Sequence, residues 1–576
     1  MDIKSIREIL DTLTPKKLSE TPAAELIYFL ISLLESMYLL LVECHEKILT
    51  LQDIINQQKG ENGRPKISKK EKKSSKQVKD YSTLDITKDE NKPRLGRQKR
   101  KEEIIIHDTF VQKVNKSILP HDAVFKGLVE TTHQDIKISL YNVKLLCEKW
   151  WSPSESRTYI AERPPGYKGE FGPGLKALII GLKAIGNMSE PKIHSLISYF
   201  GIQISDSTIS RIITDDNEKF HKEASDIKEA GIESSVYTQS DTTGANVCGE
   251  QWNTHIFCNE FFTAFKTVPH RDRITFIKLI SGENECKCLF NDETFALINK
   301  MQVPQKWIST LQNSLNNLIL DFEELKQRLG EVFGSEKYKA YKDRVMESAM
   351  IAYYQTQTKF PIIQVLLTDD ASFYDYITSY HALCWVHEIR HYKKLMPKTP
   401  IFQQITQDFL GKLSKFYKSL KEYKKNPTAD EYLNIENEFE NLFSTTTGYL
   451  DLDDRIKKTY RKKEQLLTVL DFPQVPLHNN DAELGARARV RYRDVSLHTI
   501  TLAGTKAVDS YLTIVYSAIK LGVNPYKHIT DMITNNSSWI SLAQRIRWKS
   551  QSLCIGDNSN LIKSEDAQLT PTTALP

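Results

Sequence analysis

The stretch SVYTQSDTTGANVCGEQWNTHIFCNEFFTAFKTV, residues 235–268, decides the fold class. It is rich in β-branched and aromatic residues, and its breaks fall at Gly244, Gly249–Glu250 and Asn259–Glu260. This pattern predicts three short strands joined by tight turns, an antiparallel meander. Asp241 lies in the middle of the first strand, where carboxylates are depleted because an unpaired buried charge is costly. On this stretch alone it is either an edge or turn aspartate or a metal-binding carboxylate on a central strand.

The composition is that of a soluble globular protein. The chain has 576 residues, 40% of them hydrophobic and 26% charged, which is long enough for two to four domains. The net charge is only +5, so any nucleic-acid binding must come from local patches. The eight cysteines are scattered without framework spacing, and the N-terminus carries no secretory signal. Reduced thiols and a cytoplasmic location are therefore expected.

Residues 1–57 are predicted to be a helical segment that pairs protomers. The segment from Leu26 to Val42 is apolar enough to suggest a membrane helix, but Glu35 lies inside it. A central acid costs roughly 2.5–3.5 kcal/mol of insertion free energy. A coiled-coil seam fits better, because apolar residues recur at alternating spacings of four and three, broken only at Lys47. These residues are Leu26, Leu30, Leu33, Met37, Leu40, Cys44, Leu51 and Ile54. We therefore expect a homodimer or higher oligomer and no membrane span.

Two segments that follow carry signals of DNA binding. Residues 58–103 lose their apolar residues and are dominated by lysine and arginine, which predicts a basic flexible linker. Such a linker either tracks DNA phosphates or is a solvated tether. Residues 104–230 are predicted to be a DNA-binding region. Short apolar clusters over residues 104–149 suggest a small β-rich module at its start.

The stretch PKIHSLISYFGIQISDSTISRIIT, residues 191–214, has the pattern of a helix-turn-helix. Ser205 is a candidate N-cap of the second helix. That helix would present Ser207, Ser210 and Arg211 outward, toward DNA. Helix pairs with such turns are also common in plain helical cores, so this alternative stays open.

Residues 231–540 are predicted to be a catalytic domain with helical insertions near 285–358 and 400–470, and residues 541–576 a polar tail. Within it, an apolar strand ends in Asp369–Asp370, and a strand that ends in acids places ligands at the edge of a sheet. A helix that begins near Asn479 or Asn480 puts Glu483 one turn in. Arg487 follows four residues later on the same face.

Three acids thus stand on the first strand, on a later strand and on a late helix. This β-β-β-α-β-…-α order is the layout of a ribonuclease-H-like α/β fold. Asp241, Asp369 and Glu483 could hold two divalent ions, of which one activates the attacking oxygen and the other stabilises the leaving oxygen of a phosphodiester. Mg²⁺ (or Mn²⁺) suits such a site because it takes oxygen ligands and keeps waters.

The motifs resemble those of bacterial insertion-sequence transposases of the DDE type, in the group numbered sixty-six. The resembling stretches include LLTDDASFYDYITSYHALCWVHEIRHYKKL and PLHNNDAELGARARVRYRDVSLHT, and the likeness covers most of residues 104–530. It implies a bacterial, nucleoid-associated enzyme that cleaves DNA at the terminal inverted repeats of its element and joins the ends to target DNA. The implied catalytic and metal-binding triad is Asp241, Asp369 and Glu483, with Asp370 as the alternative second acid. Relatives often carry a second aspartate where this chain has Thr242.

Other candidates carry weaker signals. His387 and Arg390 either contact DNA phosphate or belong to a buried strand-to-helix junction, and Arg487 is a plausible phosphate ligand. A zinc site built on Cys286 and Cys288 is not expected, because their spacing fits no common closed site. Two rival functions stay open: a structure-selective nuclease without strand transfer, and a catalytically inactive DNA-binding relic.

Overall fold

A computed structural model describes residues 106–115, 119–136, 139–282, 286–334 and 336–554, together with scattered helical residues between 28 and 48. The chain divides into two compact units, one over residues 64–141 and the other over residues 1–63 and 142–576. The predicted basic linker lies outside the described residues.

The described residues of the 64–141 unit form neither helix nor strand, and side chains such as Phe125 and Val129 are exposed. The β-rich module predicted for residues 104–149 is therefore wrong over the described residues. Its apolar clusters meet no partner strand, and an isolated strand is not stable without one. The first strand begins only at Lys149.

The other unit holds all the named elements. Its strands are β1 (Lys149–Ser152), β2 (Arg157–Ile160), β3 (Tyr237–Val247), β4 (Glu250–Cys258), β5 (Thr263–Val268), β6 (Lys287–Leu289), β7 (Ile319–Asp321), β8 (Val365–Thr368) and β9 (Tyr380–Leu383). Its first helices are α1 (Pro173–Ala184), α2 (Glu190–Tyr199), α3 (Asp206–Thr214), α4 (Glu218–Glu233), α5 (Arg273–Ser281), α6 (Asp292–Lys300), α7 (Gln305–Leu315), α8 (Phe322–Phe333) and α9 (Lys339–Thr356).

The remaining helices follow β9 in the chain. They are α10 (Trp385–Lys393), α11 (Pro400–Lys425), α12 (Ala429–Phe443), α13 (Leu450–Tyr460), α14 (Lys463–Leu466), α15 (Thr468–Asp471), α16 (Asn480–Ser496), α17 (Leu502–Leu521), α18 (Pro525–Thr534) and α19 (Leu542–Cys554). Short 3₁₀ turns lie at Glu336–Tyr338 and Ser372–Tyr374.

A five-stranded mixed sheet with the order β5-β4-β3-β8-β9 organises this unit, so the fold class is mixed α/β. β3, β4 and β5 form the predicted antiparallel meander, and β8 and β9 extend the sheet in parallel with β3. The break expected at Gly244 is wrong: this residue pairs with Asn253, and β3 continues to Val247. The carbonyl of Gly244 also accepts a hydrogen bond from Arg493, which holds the backbone in place.

The open edge of the sheet at β5 is covered by α17. Ser517 and Thr513 accept hydrogen bonds from the backbone N–H groups of Thr263 and Phe265, at 3.1 and 3.0 Å. Asp509 does the same for Thr267 at 2.6 Å. Residues two apart on a strand thus meet residues four apart on a helix, because both spacings are about 6 Å. The edge strand is left with few free donors for pairing with another chain.

The predicted boundary near residue 230 does not separate two hydrophobic cores. α1, α2 and α3 contribute Ile179, Ile193 and Ile209 to the same core as Phe262 of the meander and Ile514 of α17. α2 and α3 are the two helices expected from the sequence, and Ser205 caps α3 by accepting a hydrogen bond from the backbone N–H of Thr208.

The two predicted insertions behave differently. The first, from β6 to α9, joins the main core through large residues such as Phe290 and Tyr354. The second, from α11 to α15, packs with α10 into a separate core centred on the fully buried Trp385, Phe402 and Phe439. The backbone N–H of Trp385 donates to the carbonyl of Leu477 at 3.0 Å, so the second insertion leaves and rejoins the sheet at one place.

Both ends of the chain contribute contacts. The tail predicted from residue 541 is wrong over α19, where Leu542 and Ile546 are buried in the main core; the rest lies outside the described residues. Near the N-terminus, Ile31 and Glu35 are buried, and the Glu35 carboxylate accepts hydrogen bonds at the start of α11. The described members of the predicted seam are exposed: Leu30, Leu33, Met37, Leu40 and Cys44. None of the described helices has the length and apolarity that a membrane crossing requires.

Candidate active site

Two of the predicted acids lie side by side on neighbouring parallel strands. β3 and β8 pair with Gln239 opposite Leu367, and Asp241 and Asp369 each follow two residues later. Neighbouring strands are about 4.8 Å apart, so the two acids come close together at the same end of the sheet. We call Asp241 and Asp369 the strand side of the site.

Asp241 is largely buried in the middle of β3, opposite Ile256 of β4. Burial, together with the nearby Asp369 and Glu483, raises the pKa of its carboxyl to about 6. The backbone N–H of Thr242, which donates to Asp241 at 2.7 Å, acts in the opposite direction. The hydroxyl of Thr242 makes no hydrogen bond with any described residue. Asp241 is thus a buried carboxylate close to two other acids, and a bound cation would reduce the electrostatic repulsion between them.

The adjacent acids Asp369 and Asp370 have different environments. Asp370 pairs with Lys462 of the second insertion, and its side chain is 46% exposed. Asp369 accepts a hydrogen bond from the backbone N–H of Ala371 at 3.3 Å. The 3₁₀ turn that follows has Ala371 at its N-cap position and no side-chain cap, so neither acid caps it. The ion pair of Asp370 favours Asp369 as the second acid of the site.

Glu483 approaches the strand side from α16, which packs across β3 and β4. The buried Asn479 fixes the start of this helix, because its side-chain amide donates to the carbonyl of Ser240 at 2.8 Å. Of the two predicted starts, Asn480 is the first helical residue, and Asn479 occupies the N-cap position before it. Gly485 permits the close approach: an added Cβ would lie 2.8 Å from Ile256 Cγ2.

Glu483 is surrounded by basic groups. We call Glu483 and these groups the helix side of the site. His387 Nε2 lies 3.8 Å from its Oε1, and the guanidinium groups of Arg390 and Arg487 each lie 3.7 Å from its Oε2. Burial lowers the pKa of His387, although Glu483 acts in the opposite direction. These three predicted residues are therefore gathered around the third acid.

The donor set is chemically suited to a hard divalent ion. The three acids offer only oxygen, and Glu483 Oε1 is buried without a hydrogen-bond partner among the described residues. Over the same residues, no three His, Cys, Asp or Glu side chains converge closely enough to form a ready cage. Mg²⁺ is usually held by one or two carboxylates, with water and substrate phosphate completing its shell. The residues present fit such an open site.

The predicted helix-turn-helix residues lie elsewhere. α3 packs against α1, α2 and α17. Ser207 and Arg211 are exposed, Ser210 is partly buried, and Arg211 donates to the Thr208 hydroxyl at 3.2 Å. The structure thus presents Ser207 and Arg211 to solvent on a helix that belongs to the main core.

Two residues near the acids were not singled out in the sequence. Asn479 was considered only as a helix start, yet its side chain ties α16 to β3. Arg271, in the loop between β5 and α5, lies close enough to Asp241 to oppose the rise in its pKa. Its position directly after the third strand of the meander was the available signal.

Comparison with known proteins assigns part of the chain to a family. A second protein, the uncharacterized protein y4jO of Sinorhizobium fredii (strain NBRC 101917 / NGR234), is 29% identical over 304 residues, which are 53% of this chain and 94% of that protein. No solved structure matches the chain. The family model described as Transposase IS66 family matches residues 338–507, a segment that contains Asp369 and Glu483 but not Asp241. The chain therefore carries a transposase domain of the IS66 family, as its motifs predicted.

Proposed function

We propose that the protein is a DDE-type transposase that cleaves DNA at the ends of its insertion sequence and transfers the ends into target DNA. The observation that carries the proposal is the placement of three acids on β3, directly after β8 and on α16, near enough for Asp369 and Glu483 to act electrostatically on Asp241. The family match supports the transposase assignment, and a transposase must bind DNA.

The strand order supports a ribonuclease-H-like core. An antiparallel meander whose first strand is central, followed by two parallel strands on its other side, gives the order β5-β4-β3-β8-β9. In such an arrangement the first and fourth strands are neighbours, so acids on them come together whatever the length of the intervening insertion. The insertion between β5 and β8 is long in this chain, since it contains five helices.

Asp241, Asp369 and Glu483 are proposed to hold two divalent ions, Mg²⁺ or Mn²⁺. When bound, such ions activate the attacking oxygen and stabilise the leaving oxygen of an in-line displacement. The residues of the helix side contribute to substrate binding: Arg390 and Arg487 bind backbone phosphate, and His387 helps to hold Glu483 in place. Ser207, Ser210 and Arg211 on α3 are proposed to read the terminal repeats.

Pairing of protomers through the N-terminal seam would bring two element ends together. The seam residues described are exposed, and the buried Ile31 and Glu35 on another face fix the helix to the second insertion. One face of this helix is therefore anchored while another stays open for a second copy.

The test uses the full-length protein and an oligonucleotide duplex taken from DNA that flanks its coding sequence. Wild-type protein is expected to nick the duplex only with Mg²⁺ or Mn²⁺, and then to join the exposed 3′-hydroxyl to a second duplex. Asp241→Asn and Glu483→Gln should abolish both products, and Asp370→Asn, which alters the neighbouring acid, should keep them.

Each rival function has its own outcome in this assay. Metal-dependent cleavage without a joined product would identify a nuclease. Specific binding without any product in either metal would identify an inactive relic. Nicking that survives Asp241→Asn would refute the catalytic assignment.

A further inference from the structure

Arg271 lies at the strand side of the site, in the loop between β5 and α5. It is exposed, and its guanidinium carbon lies 5.2 Å from the centre of the Phe373 ring. Phe373 belongs to the 3₁₀ turn that begins three residues after Asp369. The cation–π contact therefore holds a positive charge beside the acids without using its N–H groups.

The neighbouring Arg273 shows what a structural arginine looks like in this loop. Its guanidinium pairs with Glu347 and donates to the carbonyls of Asp375 and Ser372 at 3.1 and 2.7 Å. Arg273 thereby anchors the turn that carries Phe373. Arg271, by contrast, makes no hydrogen bond or ion pair with any residue that the structure describes. A guanidinium has five donors in a fixed fork, and all of them remain available here.

The rest of the site shows where this charge is useful. The helix side already has the guanidinium groups of Arg390 and Arg487, which lie against Glu483. The strand side has two carboxylates, and Arg271 is the cation that acts most directly on Asp241. With Arg271, DNA bound across the acids would meet a guanidinium group at both sides.

We propose that Arg271 binds a backbone phosphate of the DNA substrate on the strand side, beside the phosphate that is cleaved. The inference deepens the proposed function and rests on it. Arginine suits the task because its planar fork matches two phosphate oxygens, and stacking on Phe373 limits the side-chain entropy lost on binding. A lysine at this position would keep the charge and lose the fork.

The first test measures the affinity of full-length protein for the element-end duplex in buffer with chelator, where no cleavage occurs. Arg271→Gln is expected to weaken binding roughly tenfold, the effect of losing one charge-assisted contact. The slope of log affinity against log salt should fall by about 0.9, the value for one phosphate contact. Arg271→Lys should keep the slope and recover part of the affinity.

The matched control is Arg344, whose guanidinium lies 5.8 Å from the ring of Tyr341 on α9, in the first insertion. Arg344→Gln removes a similar cation–π contact, together with a 3.5 Å hydrogen bond to the carbonyl of Gln302, and should leave affinity and salt slope unchanged. Equal losses in both variants would overturn the inference, because the effect would then be one of general charge.

The second test locates the phosphate. Single neutral methylphosphonates are placed along the duplex around the cleavage position, and each is paired with wild-type protein and with Arg271→Gln. At the contacted position, the modification should weaken wild-type binding and leave the variant unaffected. If the modification weakens binding equally in both proteins at every position, the inference about Arg271 is overturned, but the proposed function is not. Absence of any binding by wild-type protein would instead overturn the proposed function, and the inference with it.

Discussion

On the strand side of the site, Asp241 lies largely buried with a second carboxylate beside it, whereas on the helix side Glu483 is surrounded by His387, Arg390 and Arg487. Among the described residues no salt bridge holds Asp241 or Asp369, and Arg271 offsets their negative charge only in part, whereas the helix side is already neutralised by the protein. The difference indicates that the two sides have different roles. The strand side needs a bound metal to balance its negative charge, and the helix side fixes an acid and contacts DNA. Functional sites often hold such unfavourable charge in the empty state.

The largest expected effects come from neutralising one acid on each side. Asp241→Asn and Glu483→Gln should each lower cleavage by about 10³-fold or more, because both remove a proposed metal ligand. Their effects on the metal-free protein should be opposite. Asp241→Asn relieves a buried charge and should raise the free energy of unfolding at pH 8 by on the order of 2 kcal/mol. Glu483→Gln removes the negative charge that three basic groups share, and it should lower the free energy of unfolding by about 1 kcal/mol.

Denaturant unfolding in chelator, beside cleavage assays with Mg²⁺, measures both quantities. If the two variants shift stability in the same direction, the contrast between the sides fails even when both variants are inactive.

The next effect concerns how closely the helix side approaches the strand side. In Gly485→Ala, the added Cβ would lie 2.8 Å from Ile256 Cγ2, opposite Asp241 in the sheet. α16 must shift, at a cost of about 1–3 kcal/mol of stability, and Glu483 shifts with it. Cleavage should fall by more than thermal unfolding alone explains. The control is Gly411→Ala on α11, where a Cβ meets nothing within 4 Å and the protein should gain about 0.5–1 kcal/mol. Full activity of Gly485→Ala would show that the fit of α16 is not critical.

A smaller effect is expected from pH. Because the pKa of Asp241 is raised to about 6, the folded protein binds a proton there that the unfolded chain binds only at lower pH. The contribution of this group to metal-free stability is therefore fully present below about pH 4 and is lost as pH rises through 6. Metal binding follows the opposite course, since it requires the carboxylate. Mn²⁺ affinity, measured by calorimetry, should fall about tenfold per pH unit below 6 in wild-type protein and much less in Asp241→Asn. Parallel curves would assign the titration to another group.

The smallest effect separates the adjacent acids. Asp370→Asn removes a partly exposed ion pair with Lys462 and should change stability by less than about 1 kcal/mol, with cleavage nearly intact. Asp369→Asn should abolish cleavage. The reverse outcome in a side-by-side nicking assay would move the second acid to Asp370.

Local patterns predicted the elements of the site well. The meander, the strand before Asp369 and the helix of Glu483 were recognisable because alternation and helical periodicity are written in adjacent residues. Partners distant in the chain were not recognisable. The sequence HRDR, residues 270–273, does not show that Arg273 pairs with Glu347 while Arg271 stacks on Phe373.

The same limit explains the errors at both ends of the described chain. Apolar clusters over residues 104–149 predicted strands, but a strand needs a partner that the sequence does not name. The composition predicts a polar tail where α19 forms, yet Leu542 and Ile546 reach the main core. Glu223 of α4 accepts a hydrogen bond from the backbone N–H of Leu542 at 2.7 Å. In each case tertiary packing decided the outcome.

The meeting of Trp385 and Leu477 at the base of the second insertion has a consequence for how the family domain can change. The two ends of this segment lie close together, and the segment has its own aromatic core. Its length and sequence can therefore change without moving the acids. α10 belongs to the site because it carries His387 and Arg390, whereas the helices after it reach the acids through contacts such as that of Lys462 with Asp370. Sequence diversity can therefore accumulate in the appended helices while the arrangement of the three acids remains the same.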